Sequence, residues 1–364
     1  LSQGTGQGVV LSGPAGIGKT RLLSEFLSTL DGQGFGQVKV HCLPGLSNSP
    51  LAPIRELCQT LFAQPPAGTV KSDVDVSLHA ELLGQTPPDV KVLAALSEYQ
   101  LKQQTYELIN RMLGAFCVKT PLVLAFEDIH WSDVTSRDCL DAIINQADGK
   151  RLLVVMTTRP VDIPTPSEAI IQLSPLGHQD GLKLLHDNMN ETRINGQMAD
   201  DLVRRAAGNP FFIEELALAL QSDDSPSPDL PETVQAVISV RIGALDPPAR
   251  AFLFVLAVIG PEAHADLVTH LLDQPRDLVE TTATRLRSMG FVQIEQETYS
   301  FRHMLIADTA YAMLAFKDRQ KLHHEIAAYL ESDAVKWTPR PETLAWHTQE
   351  AGDAKKATGY WLKA

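Results

Sequence analysis

The run Gly13-Pro14-Ala15-Gly16-Ile17-Gly18-Lys19-Thr20 sets glycines, a lysine and a threonine in the spacing G-x-x-x-x-G-K-T. Glycines at 13, 16 and 18 let the backbone curl until successive N–H groups point inward at phosphate oxygens, and a helix starting beyond them adds its positive end. Lys19 is then placed to reach the β- and γ-phosphates, and the Thr20 hydroxyl to ligate Mg²⁺. The flanks are those such a loop requires: the apolar run Gly8-Val9-Val10-Leu11 precedes it, and the helical pattern from Arg21 to Leu27 follows. A bland Gly-rich turn would need no such setting. Gly13, Gly16, Gly18, Lys19, Thr20 and Arg21 are therefore the expected binding set for ATP or ADP.

A phosphate loop needs an acidic partner on a second strand, and Leu122-Val123-Leu124-Ala125-Phe126 runs into Glu127-Asp128. Glu127 is expected to hold Mg²⁺ through its water shell, making Thr20 and Glu127 the metal pair. Asp128 is expected to orient or deprotonate the attacking water. Helix capping or a surface position is the competing reading for these acids. The next strand candidate ends in Thr157-Thr158-Arg159-Pro160, which in a parallel sheet puts Arg159 at the carboxyl edge, where its charge can sense a γ-phosphate. The alternative is an ordinary loop arginine. Lys19, Asp128 and Arg159 form the expected catalytic set.

These residues must be held by a scaffold, and the scaffold is legible in outline. Short apolar runs at Gly8 to Leu11, Gln37 to Leu43, Leu122 to Phe126, Leu152 to Thr157 and Ile170 to Leu173 alternate with helical patterns. Their continuous apolar character points to strands buried on both faces, hence a parallel sheet with helices on both sides. From Ala63 to Leu93 the pattern weakens, suggesting a variable excursion with no assigned role. After Pro175 strand signals nearly vanish. Helices are predicted at Gln179 to Asn188, Met198 to Ala207 and Phe211 to Gln221, then at 232–244, 248–259, 264–272 and 277–288. Two short strand candidates, Phe291 to Glu295 and Thr298 to Phe301, follow as a hairpin. The resulting division is an ATPase-like core at 1–175, a helical subdomain at 176–222, a polar, Pro-rich linker at 223–230, a winged-helix domain at 231–315 and the start of a TPR-like helical array at 316–364.

Bulk properties narrow the classes. The 364 residues, 44% of them hydrophobic, suffice for two or three domains with buried cores. No apolar run approaches the roughly 20 residues a bilayer needs, and no secretory leader pattern opens the chain. The 31 basic against 44 acidic residues give a net charge of −13, which opposes binding to nucleic-acid backbones and anionic membranes. Cys42, Cys58, Cys117 and Cys139 lack C-x-x-C spacing and sit in apolar surroundings, as expected of reduced thiols in a cytoplasmic protein. The chain starts at Leu1 and stops within a helical pattern, so it is expected to be part of something larger.

Taken together the segments resemble the STAND class of P-loop ATPases, in its AAA-type branch attached to class III nucleotide cyclases and to large transcriptional regulators of the LuxR and MalT kind. The resemblance runs through Gly13 to Thr20, Leu124 to Asp133, Thr158-Arg159-Pro160, Gly208 to Leu216, Leu230 to Val234 and Phe301 to Ile306. It implies that Pro210 packs against the adenine and couples the core to the helical domain. It implies also that His303 reaches from the winged helix to the β-phosphate of ADP. Read from the residues alone, Gly208-Asn209-Pro210 is a turn between helices and His303 a polar residue at a helix start. In two respects the chain departs from the family: Glu127 stands where Asp is common, and only Leu1 to Gln7 precedes the first strand, where an adenine-contacting segment belongs. His130-Trp131 matches a family signature to which no catalytic role is assigned.

The expected function is an ADP/ATP switch with slow Mg-dependent hydrolysis, controlling an effector in the same polypeptide or a partner protein, with self-association on ATP binding. An adenylate or guanylate cyclase is the expected effector. The alternatives are an ATP-dependent transcriptional regulator and a DNA-binding initiator or loader ATPase. Against the last, residues 231–330 hold nine basic and twelve acidic side chains.

Overall fold

The computed structural model describes residues 6–42, 49–160, 169–189, 195–222, 232–260, 262–335, 337 and 339–362. The chain divides into two compact units, one of residues 1–14 and 19–173, the other of residues 15–18 and 174–363. The predicted linker at 223–230 lies outside the described residues.

The first unit runs β1 (Gln7–Ser12), α1 (Lys19–Thr29), β2 (Gly36–His41), α2 (Ala52–Leu61), α3 (Asp73–Leu82), α4 (Val90–Ala94), α5 (Glu98–Lys119), β3 (Leu122–Glu127), α6 (Val134–Asn145), β4 (Leu152–Thr158) and β5 (Ala169–Gln172). Its strands form one five-stranded sheet in the order β2-β3-β4-β1-β5, every pairing parallel. Alternate residues of a strand point to opposite faces, and here each face has its own core. Val10, Val38, Leu124, Phe126, Val154 and Met156 pack in one cluster, whereas Leu11, Val123, Ala125 and Val155 pack in another with Leu23 of α1. That is the reason for the continuous apolar runs. β5 departs from the expectation of burial: at the sheet edge, Ile170 is 64% and Ile171 47% exposed.

The weak pattern between Ala63 and Leu93 conceals two helices. α3 is capped by Ser72, whose hydroxyl accepts the Asp75 N–H at 3.1 Å. Asp75, on the inner face, accepts Arg111 Nη2 at 2.5 Å and the Lys71 N–H at 2.8 Å. A carboxylate among the inward positions breaks the apolar periodicity on which the expectation rested.

The second unit begins with α7 (His178–Asp187), α8 (Gly196–Arg205) and α9 (Pro210–Ser222). Their shared core holds Leu185, Leu202, Val203, Phe212, Ile213 and Leu216. Then come α10 (Val234–Gly243), α11 (Pro247–Ile259), β6 (Glu262–His264), α12 (Ala265–Leu272), α13 (Arg276–Ser288), β7 (Val292–Glu295), β8 (Thr298–Phe301) and α14 (Met304–Met313). The three strands pair antiparallel in the order β6-β8-β7, which contains the expected hairpin of β7 and β8 and adds β6, which the sequence did not announce. α15 (Phe316–Leu330), α16 (Pro341–Glu350) and α17 (Ala354–Trp361) follow. None of the described helices is long and apolar enough to cross a membrane.

α15 meets α16 through a buried imidazole pair, with His323 Nδ1 2.9 Å from His347 Nδ1. Tyr311 of α14 adds its hydroxyl, 3.2 Å from His323 Nε2. Burial, with the charge of Arg319 adding, pushes His323 down to about 4. Burial, with His323 adding, pushes His347 down to about 3. An unfolded imidazole titrates near 6.5, so below that pH the unfolded chain takes up protons that the folded one refuses. This contribution is complete above pH 6.5 and declines as pH falls toward 4, by up to about 1.4 kcal/mol per pH unit for each imidazole. The expected result is a drop in unfolding temperature between pH 7 and 5 that is steeper in the wild type than in the double variant His323→Gln/His347→Gln. Parallel pH profiles for the two proteins would refute it.

Candidate functional site

In the first unit the loop after β1 is pinned at its entry, where the Gly13 N–H donates to the Thr158 carbonyl at the end of β4 at 3.2 Å. Gly16 at φ 80° and Gly18 at φ 100° adopt the left-handed backbone that glycine takes without strain. α1 then starts at Lys19, so its free N–H groups open onto the loop. Lys19 is buried, and its ammonium donates to the carbonyls of Gly13 at 2.9 Å and Pro14 at 3.1 Å. Burial lowers its pKa from the ordinary lysine value; the carboxylate of Asp128 opposes that shift and Arg159 adds to it. Thr20 and Arg21 follow on the exposed side of the helix.

β3 delivers Glu127 beside that helix start. The Thr20 hydroxyl donates to Glu127 Oε2 at 2.9 Å. The other oxygen, Oε1, is buried and lies 2.6 Å from Lys39 Nζ, an ion pair outside hydrogen-bonding angles. A hydroxyl and a buried carboxylate with one oxygen lacking a hydrogen bond are hard donors of the kind Mg²⁺ takes. The residues present therefore fit that metal.

Asp128 follows in a left-handed conformation, φ 54° and ψ 48°, a region that Asp enters more readily than most residues. Its N–H donates to the Thr157 hydroxyl at 2.9 Å, and its carbonyl accepts the Trp131 N–H at 2.9 Å, closing a single tight turn over Ile129–Trp131. This turn directs the chain away at the carboxyl edge of the sheet. Burial raises the Asp128 pKa and Lys19 counters it. His130 Nδ1 lies 3.9 Å from Asp128 Oδ1, and neither ring nitrogen of His130 makes a hydrogen bond. Burial, with Arg159 and Lys19 adding, pushes His130 down to about 4. The imidazole is thus neutral at ordinary pH. The Arg159 guanidinium lies 5.7 Å from the centre of the Trp131 ring, a cation–π distance that fixes the arginine beside the same turn. Lys19, Thr20, Glu127, Asp128 and Arg159, read from separate stretches of sequence, are thereby gathered at one sheet edge, with Thr157 and His130 beside them and Lys39 as a neighbour the motifs did not indicate.

In the second unit the tip of the phosphate loop, residues 15–18, packs with the Gly208-Asn209-Pro210 turn. Gly208 is left-handed at φ 71°, and a Cβ there would lie 2.4 Å from the Leu176 carbonyl, so only glycine fits. Asn209 Nδ2 donates to the Ala15 carbonyl at 2.9 Å, while its Oδ1 accepts the Phe212 N–H at 3.2 Å. The Phe211 N–H donates to the Gly16 carbonyl at 3.2 Å. Two loop carbonyls are therefore held from outside. Pro210 opens α9, where its missing N–H goes unused. The Phe211 ring stacks on His303, centroids 4.0 Å apart and planes 18° from parallel. His303 caps α14, its Nδ1 accepting the Leu305 N–H at 3.1 Å. Pro210 and His303, singled out separately in the sequence, are thus both next to Phe211, the first along the chain and the second by ring stacking. The signal that could have found Phe211 is its place in the Gly208 to Leu216 segment.

The same segment supplies two ion pairs. Arg302 Nη2 lies 2.5 Å from Glu214 Oε2. Arg241 pairs with the fully buried Glu215, donates to the Met289 carbonyl at 2.5 Å and lies over the Phe291 ring.

Residues 1–155 match the family described as the AAA ATPase domain. Over 99% of its length the chain is 26% identical to an uncharacterized protein of Rhizobium meliloti (strain 1021), of which it spans 38%. The fold is similar to that of a Signal Transduction ATPase with Numerous Domains (STAND) protein with a tetratricopeptide repeat sensor from Pyrococcus horikoshii. That similarity has a TM-score of 0.58 at 12% identity and covers 97% of this chain and 46% of the other.

Proposed function

We propose that this chain, whose residues 1–155 match the AAA ATPase domain and whose fold is similar to that of a STAND protein, is a nucleotide-controlled switch of the STAND kind. ADP holds its resting state, ATP its active one, and slow hydrolysis resets it. One observation carries the reading: the backbone of the phosphate loop is hydrogen-bonded to Asn209 and Phe211, and Phe211 is stacked on the helix-capping His303. A change of loop carbonyl direction on phosphate binding therefore reaches the start of α14 through three contacts. A switch needs contacts that differ between its states, and these are the ones that a rotating loop peptide would break.

In the proposed reaction Lys19 binds the β- and γ-phosphates, and the N–H groups around Gly13, Gly16 and Gly18 cradle them. Thr20 and Glu127 would hold Mg²⁺, which when bound would supply charge neutralisation at those oxygens. Asp128 orients the attacking water and accepts its proton, a task suited to a carboxylate whose basicity burial has raised. Arg159 senses the γ-phosphate. Because the chain spans 38% of its Rhizobium relative, an effector elsewhere in a longer polypeptide is part of the proposal, with a nucleotide cyclase the effector its resemblance suggests.

The test is the nucleotide content of the purified protein. Co-purified ADP that exchanges slowly supports the switch; an empty site with rapid steady hydrolysis overturns it. His303→Asn retains a capping acceptor but removes the ring, whose stacking is worth about 0.5–1.5 kcal/mol. ADP release is expected to quicken roughly threefold to tenfold. An unchanged release rate would remove His303 from the switch.

A further inference from the structure

We infer that Lys39 is a tethered cation that occupies the acid of the metal pair and thereby sets the Mg²⁺ concentration at which the phosphate site takes up its metal. The inference rests on the nucleotide-binding reading and deepens it. It comes from three features of the first unit that neither the loop motif nor the acidic strand end explains.

β2 and β3 run in parallel register with His41 opposite Glu127 and Lys39 opposite Ala125. Residues two apart on a strand share a face, so Lys39 lies one pleat from Glu127 on the same side of the sheet. β2 reads Val38-Lys39-Val40-His41 with the valines buried and the two basic residues exposed, so the backbone pattern holds the lysine there without competition from the core. The side chain folds over to Glu127, with Nζ 2.6 Å from Oε1, although it keeps about a third of its surface exposed, at 36%. Glu127 itself is buried.

Both Glu127 oxygens are thus engaged by the chain itself, Oε2 by a hydrogen bond from the Thr20 hydroxyl and Oε1 by the charge of the ammonium. A divalent cation entering between Thr20 and Glu127 must turn the hydroxyl proton away and displace or share the ammonium. Turning a hydroxyl is easy. Displacing Lys39 forfeits a charge pair with a buried carboxylate, and keeping it beside the metal sets two cations together. With the metal absent, the same lysine neutralises an anion that would otherwise face the phosphates. Nucleotide held without metal is therefore favoured by Lys39, and metal-loaded nucleotide is opposed by it.

The experiment is a titration of the whole chain with a fluorescent ADP analogue, first in EDTA and then at increasing free Mg²⁺, for the wild type, Lys39→Met and Lys39→Arg. In Lys39→Met the midpoint of the Mg²⁺ dependence is expected to fall, and affinity in EDTA to weaken, each by about threefold to tenfold, as suits a pair with one partner partly exposed. Lys39→Arg, which keeps the charge, is expected to restore both. Nucleotide binding with the same Mg²⁺ midpoint in all three proteins overturns the role of Lys39 and leaves the nucleotide site standing. A change in ATP-over-ADP preference at an unmoved midpoint, read by displacing the analogue with ATP and with ADP, also overturns it, by making Lys39 a γ-phosphate contact. Failure of the wild type to bind the analogue at any Mg²⁺ concentration overturns the nucleotide reading and this inference with it.

Discussion

Lys19→Ala is expected to lower nucleotide affinity at least about a hundredfold, because a charged donor to phosphate is worth about 1.5–3 kcal/mol per hydrogen bond and one ammonium makes more than one. Lys19 is buried beneath the loop, with its ammonium held by the carbonyls of Gly13 and Pro14. Removing it takes nothing from the apolar clusters that support the sheet. The loop keeps its anchor from Gly13 to Thr158. Binding of a fluorescent ADP analogue and a thermal melt together provide the check. Lost binding with an unchanged melt is the expected pair of results; retained binding would refute the assignment of the phosphate loop.

Arg241→Ala is expected to destabilise the second unit by about 3–5 kcal/mol, the range found when one partner of a buried ion pair is removed. Glu215 is 0% and Arg241 7% exposed, so the carboxylate left behind has no water to turn to. Burial raises the Glu215 pKa, and the charge of Arg241 is the main opposing influence. The arginine also donates to the Met289 carbonyl and lies over the Phe291 ring, so its loss reaches the junction of α13 and β7 as well. Replacing both partners by apolar residues, Glu215→Leu with Arg241→Met, should recover most of the loss, since no charge then remains buried. Trp337, Trp346 and Trp361 lie in the second unit and Trp131 in the first. Urea unfolding followed by fluorescence in a Trp131→Phe background therefore reports the affected unit alone. A single variant no less stable than the double one would contradict this account.

Legibility of the chain followed locality. The phosphate loop and its helix are contiguous, so eight residues state their own geometry. Helix starts in the second unit are equally local: Thr233 accepts the Ala236 N–H, and Asp246 accepts the Ala249 N–H just before Pro247-Pro248, so the expected helices at 232–244 and 248–259 lie close to α10 and α11. β6 was invisible because three residues, Glu262–His264, become a strand only through pairing with β8. α3 was obscured by Asp75, whose inward carboxylate makes sense only once Arg111, far along the chain, is in place. Within the site the same division holds. Glu127 and Asp128 announced themselves at a strand end, whereas Lys39 depended on the register of β2 with β3, and the Phe211–His303 stack on a fold that brings distant segments together.

The Asn209 carboxamide has consequences on the timescale of protein ageing. Asparagine degrades to aspartate chiefly when the nitrogen of the following peptide attacks the side-chain carbonyl. Here that nitrogen belongs to Pro210, which carries no hydrogen to lose. The route to a cyclic imide is closed at the position where a carboxylate would do most harm, since a donor facing the Ala15 carbonyl at 2.9 Å would become a second acceptor. The proline after Asn209 thus acts as a chemical preservative for the hydrogen bond that holds the loop.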